Sequence, residues 1–155
     1  MGNPLGRFGN MRSVGTLAML IVLVVGVTFG YLMYRQLGTG SETLQASPEF
    51  VATGDGSRCA DVDLSVKART LGSWQLVVED GLFISGSVVV NGGVDSNIGF
   101  RIWSPSNRLV FHTPQRIHEQ EFELGGSIRG GYTFEFDNRH SALTKKNVTL
   151  VICLA

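Results

Sequence analysis

The side chains able to do chemistry in this chain are few and scattered. There are two cysteines, Cys59 and Cys153, and three histidines, His112, His118 and His140. No two histidines stand at metal-ligand spacing with a cysteine or a carboxylate cluster, so they read as surface or strand-end residues. Serine, histidine and aspartate all occur, but the G-x-S-x-G turn that exposes a hydrolase nucleophile does not. Asp55, Asp61 and Asp63 lack the order of an EF-hand loop, and Asp95-Ser96-Asn97 is too short to define a calcium site. Asn91-Gly92-Gly93 has no phosphate-loop lysine after it and reads as a hairpin turn. The expectation is a protein that is not an enzyme and uses neither cofactor nor metal.

Two further groups admit a bland and a functional reading. Glu119, Glu121 and Glu123 alternate, which puts three carboxylates on one strand face. Such a row is a solvated face that discourages edge pairing, or a rim that meets a basic partner. Asn147-Val148-Thr149 fits a glycosylation acceptor at the start of a strand. The chain as a whole carries 13 basic and 13 acidic residues, a formal net charge of zero. Without a basic excess or stripe, no nucleic-acid partner is expected.

The elements that must position these residues fall into two regimes. From Val14 to Tyr34 there are 21 residues without a charge. As a helix they would span roughly 30 Å, the thickness of a bilayer core. Tyr31 and Tyr34 stand where interfacial aromatics lie. A cleaved secretory signal is the alternative, but the run is long for a signal core and no small-x-small site follows it. Arg7 and Arg12 precede the run and Arg35 follows, which favours a cytoplasmic N-terminus. Gly26 and Gly30 form a G-x-x-x-G. It would let two such helices approach as a homodimer, or it reflects the ordinary glycine content of membrane helices. Residues 35–58 are small and polar and read as a flexible tether, with an rms span of about 25 Å.

Beyond it the hydrophobic period becomes two. Val62, Leu64 and Val66 alternate with Asp61, Asp63 and Ser65, and similar runs recur to the C-terminus. About eight short strands over residues 59–155 predict an all-β, antiparallel, jelly-roll-like β-sandwich. By parity Cys59 and Cys153 both point outward. If the first and last of these strands pair antiparallel, the thiols become cross-strand neighbours able to form a disulfide outside the cytoplasm.

The C-terminal block is the most specific. Tyr132, Phe134 and Phe136 share one strand face. Asp137-Asn138 then ends the strand, and Ser141, Lys145 and Val148 follow. This G-Y-x-F-x-F-D-N-x-x-S…K-x-V order resembles the end of the GOLD (Golgi dynamics) domain, a β-sandwich interaction module. Asn97-Ile98-Gly99-Phe100-Arg101-Ile102-Trp103-Ser104-Pro105 and Phe122-Glu123-Leu124 fall in the family's order, so the resemblance runs over roughly Trp74 to Leu154. The Golgi cargo receptors of that family usually have cysteine where this chain has Glu135. They also carry their membrane helix last rather than first. The layout therefore resembles prokaryotic membrane-tethered or secreted members.

Together these readings predict a cytoplasmic segment over 1–13, a transmembrane helix over 14–34, a tether over 35–58 and a GOLD-like sandwich over 59–155. The resemblance implies an extracytoplasmic module that binds a protein or another ligand at the membrane surface. Two alternatives are a structural subunit of an envelope complex, held by its helix, and a secreted domain.

Overall fold

The computed structural model describes residues 39–155 except Val94, together with Val25 and Val27. Apart from Val25 and Val27, the predicted membrane segment, with its Gly26 and Gly30, lies outside the described residues, as do the predicted cytoplasmic residues 1–13. Among those described, no helix is long and apolar enough to cross a membrane.

Among the described residues ten strands follow one another. They are β1 (Gly40–Thr43), β2 (Val51–Ala52), β3 (Arg58–Val66), β4 (Thr70–Val78) and β5 (Ile84–Asn91), then β6 (Gly99–Trp103), β7 (Leu109–His112), β8 (Glu119–Leu124), β9 (Gly130–Asp137) and β10 (Lys146–Leu154). They form two five-stranded sheets, in the orders β1-β4-β9-β6-β7 and β2-β3-β10-β5-β8. Every pairing is antiparallel except β1 with β4, which is parallel. The sandwich is therefore mixed at one edge and has two strands more than the eight or so expected.

The extra strands come from the stretch read as a tether. Residues 42–50 alternate inward and outward, with Leu44, Ala46 and Phe50 packed against the core. Leu44 N donates to Ser73 O at 2.7 Å, and Trp74 Nε1 donates to Ala46 O at 3.0 Å. The Glu42 carboxylate accepts from Lys67 N at 2.7 Å and Thr70 Oγ1 at 3.0 Å. Burial pushes that carboxyl up, but the Lys67 backbone and side chain and the Thr70 hydroxyl together hold it below its usual range. The segment thus runs from β1 on one sheet to β2 on the other and closes one open side of the sandwich.

Between the sheets the inward residues of each strand form one core. Phe134 is fully buried, with ring centroids 5.4 Å from Trp74, 6.0 Å from Phe122 and 6.4 Å from Phe100. Phe100 also stacks on Phe136 at 5.3 Å. Such pairs contribute about 0.5–1.5 kcal/mol each beyond area burial. Tyr132 completes the row, its hydroxyl accepting from Ile128 N at 3.1 Å.

Candidate binding groove

At one end of the sandwich, polar side chains converge around the end of β9. In the β6–β9 ladder, Gly99 stands opposite Asp137, Arg101 opposite Glu135 and Trp103 opposite Thr133. These positions face outward, because their neighbours Phe100, Ile102, Phe134 and Phe136 face the core. Trp103 Nε1 donates to Glu135 Oε2 at 2.7 Å, and Arg101 Nη2 donates to Asp137 Oδ2 at 3.3 Å. Arg139 wraps back onto the same carboxylate, with Nε donating to Oδ1 at 2.9 Å and Nη2 to Oδ2 at 2.6 Å. The Arg139 guanidinium is the main reason the Asp137 carboxyl lies below its usual range.

The second wall comes from the segment after β7. Thr113 N donates to Phe100 O at 3.0 Å, and Ile98 and Ile117 exchange backbone hydrogen bonds of 3.0 and 2.8 Å. Residues 113–117 are therefore held alongside the start of β6, with the Arg116 side chain exposed. The result is two adjoining depressions that share Gly99 and Arg116. One continues over Asp137, Arg139 and His140, the other over Arg101, Thr113 and Gln115. Gly99 is the floor; a Cβ there would lie 3.2 Å from Asp137 Cβ. His140 Nε2 donates to Asn97 Oδ1 at 3.1 Å. Burial first, and then the charges of Arg116 and Lys146, push the His140 imidazole below its usual range.

Asn138 fixes the turn that presents Asp137, Arg139 and His140. It is fully buried, and its Nδ2 donates to Val66 O at 3.3 Å, Lys67 O at 2.9 Å and Thr144 O at 3.1 Å. The turn after β9 is thereby tied to the turn after β3. Ser141 Oγ donates to Thr144 O at 2.9 Å and closes the turn on itself. Lys145 is exposed and Val148 is buried in the core. Next to Lys145, Lys146 is only 1% exposed, and its Nζ donates to Gly92 O at 3.1 Å. Gly93, at φ 76°, lets the β5–β6 loop lie over that amino group; a Cβ there would come within 2.8 Å of Nζ.

The remaining sequence-selected residues lie elsewhere. β3 and β10 pair antiparallel with Cys59 directly opposite Cys153, and a disulfide joins the two. Glu119, Glu121 and Glu123 face outward on β8, the edge strand of the other sheet, whose outer face also carries Asp61 and Asp63. His118 Nδ1 donates to Ser96 O at 3.0 Å in an exposed loop, and His112 is exposed across from Arg101. Among the described residues, no three His, Cys, Asp or Glu side chains come together as metal ligands would.

Sequence reasoning assigned no role to Arg101, Trp103, Arg116, Arg139 or Lys146. For Arg101 and Trp103 the signal was present, since their parity opposes Phe100 and Ile102. Lys146 is in phase with Val148 and Leu150, but a lysine is so rarely inward that this phase is a weak signal. Arg116 stands in a loop without a period, and no local signal marks it.

No protein-family model matches the chain. A stretch of 64 residues is 39% identical to transmembrane emp24 domain-containing protein A of Dictyostelium discoideum, covering 41% of this chain and 30% of that protein. The chain thus matches under a third of the length of that curated relative. Among solved structures, Aeromonas hydrophila PliG, a periplasmic inhibitor of g-type lysozyme, is 15% identical over 76% of this chain and 98% of its own, with a TM-score of 0.47. A mutant of the Escherichia coli PliG is 17% identical over 74% of this chain and 98% of its own, with a TM-score of 0.37.

Proposed function

We propose that this chain is a membrane-anchored, extracytoplasmic binding module with a GOLD-like sandwich, and that the groove at the end of β9 is its contact surface. The observation that carries the reading is the convergence of Arg101, Arg116, Arg139, Asp137 and His140 around the uncovered Gly99 floor. Charged side chains clustered on loops held by a rigid sheet suit recognition. The Cys59–Cys153 disulfide supports an oxidising compartment. The 21-residue uncharged run supports an anchor, and the stretch shared with an emp24-domain protein supports the GOLD resemblance.

The test has two arms. Full-length protein should stay with membranes after carbonate washing, and protease added outside intact cells should remove the C-terminal domain. Under the same conditions, tagged protein should capture a partner that Arg116→Gln no longer retains. Soluble full-length protein, or a domain protected from protease, would overturn the anchored topology. Capture that depends on residues 14–34 and ignores the groove would favour a structural subunit held by its helix.

A further inference from the structure

We propose that the groove takes an oxyanion, a carboxylate, sulfate or phosphate group carried by its ligand, with Arg116 as the residue that receives it. The inference rests on the reading of the groove as the contact surface and names the chemistry that surface selects. Three guanidinium groups line the two depressions, those of Arg101, Arg116 and Arg139, against the single carboxylate of Asp137. That carboxylate is already shared by Arg139, at 2.6 and 2.9 Å, and Arg101, at 3.3 Å. Arg101 is further drawn to Glu135, 3.9 Å away.

Arg116 stands apart from this arrangement. Among the described residues it makes no ion pair and no hydrogen bond, yet its backbone is held by the Ile98–Ile117 bridge beside it. A guanidinium on a fixed backbone, at the mouth of a concavity, presents a planar fork of donors without a protein acceptor. A planar or tetrahedral oxyanion satisfies that fork in bidentate fashion. Lys146 adds a buried amino group, whose Nζ donates to the Gly92 carbonyl. Burial first, and then the charges of Arg116 and Lys146, disfavour the imidazolium form of His140.

Gly99 supplies the room. It is the residue of β6 opposite Asp137, and it leaves the space in front of the Asp137–Arg139 pair uncovered. An incoming oxyanion can therefore approach Arg116 while the Thr113 and Gln115 side chains line the far wall. The outer face of the other sheet, with Asp61, Asp63, Glu119, Glu121 and Glu123, repels the same ligand and leaves this end as the favoured approach.

The experiment uses the full-length chain in neutral detergent micelles at constant ionic strength set with sodium chloride. Sodium sulfate, sodium phosphate and sodium acetate are titrated while amide resonances are followed. The proposal expects saturable shifts at Asn97, Gly99, Thr113 and His140 for at least one of the three. It expects affinity to fall by about tenfold or more in Arg116→Gln, the loss of one charge-assisted contact, and to be unchanged in Lys145→Gln. Repeating the titration in nanodiscs with and without an anionic phospholipid separates the sources. Shifts that appear with anionic lipid alone assign the oxyanion to a headgroup, and shifts with free ion in neutral discs assign it to a soluble ligand. Shifts that are non-saturable, or unchanged in Arg116→Gln, would overturn the proposal. Because Arg116 is exposed, a misfolded Arg116→Gln is not expected, and its melting temperature checks this. Failure here with partner capture intact would leave the binding-module reading standing and remove only the oxyanion.

Discussion

Asn138 offers a sharp test of how the groove is held. Its Nδ2 has two hydrogens and three carbonyl acceptors, at 2.9, 3.1 and 3.3 Å, so the longest contact is shared. Thr144 O also accepts from Ser141 Oγ, and Lys67 O shares the one Thr70 hydroxyl proton with Glu42, so truncation leaves those two carbonyls with part of their hydrogen bonding. Oδ1 has no partner among the described residues, and its removal returns part of the loss. Two hydrogen bonds at about 1 kcal/mol each, a small cavity and this offset leave Asn138→Ala at about 2 kcal/mol destabilising. Asn138→Asp keeps the shape but turns a carboxylate oxygen towards the three carbonyls. It should cost more than alanine at neutral pH, because a buried carboxylate without a donor is disfavoured. The folded state then raises the new carboxyl above its unfolded value. Its penalty is absent below the unfolded carboxyl range and grows as pH rises through it. The assay is urea unfolding followed by tryptophan fluorescence, at acidic and at neutral pH, with the disulfide intact. An aspartate variant as stable as wild type at neutral pH, or more stable than the alanine variant there, would refute the hydrogen-bond assignment at the turn.

Phe134→Ala should cost about 3–5 kcal/mol, since the ring is fully enclosed by Trp74, Phe100 and Phe122; Thr133→Ala on the outer face should cost far less, and equal urea midpoints would contradict the strand register. Reduction of Cys59–Cys153, 94 residues apart, should remove about 4–5 kcal/mol in the chain-entropy model, read as a lower melting temperature and a gel shift. Asp137 lies below its usual carboxyl range, chiefly through Arg139, so its contribution is complete above the unfolded value and lost as pH falls through the folded one; Asp137→Asn should flatten the acid limb of the stability profile. Asp55, held by the Thr53 and Ser57 hydroxyls, should titrate at about 2 when its carboxyl resonance is followed by NMR.

The central sandwich was legible because its strands are half apolar at a strict period of two. Val62, Leu64 and Val66, or Tyr132, Phe134 and Phe136, announce both the strand and its inward face. The edge segment over 40–52 was not legible for the opposite reason. Its inward positions include Glu42, Ala46 and Pro48 beside Leu44 and Phe50, so the alternation is present in the structure but weak in hydropathy. The parallel β1–β4 pairing is accompanied by the Glu42 carboxylate meeting Lys67 N and Thr70 Oγ1, a long-range match that no local pattern encodes. The groove shows the same division. Asp137 and Asn138 were marked by turn chemistry, whereas Arg116 joins the groove only because the Ile98–Ile117 bridge holds its loop alongside β6. Lys146 was obscured by the ordinary expectation that lysines are exposed.

The claim that the groove is the contact surface is tested most directly by site-specific photocrosslinking in cells. A photoreactive residue at Gln115, on the exposed groove wall, is compared with one at Ser87, on the outer face of the opposite sheet. A crosslinked product from Gln115 that disappears with Arg116→Gln, and none from Ser87, is the predicted result. A product from Ser87 with none from Gln115 would contradict it and move the contact surface to the acidic sheet.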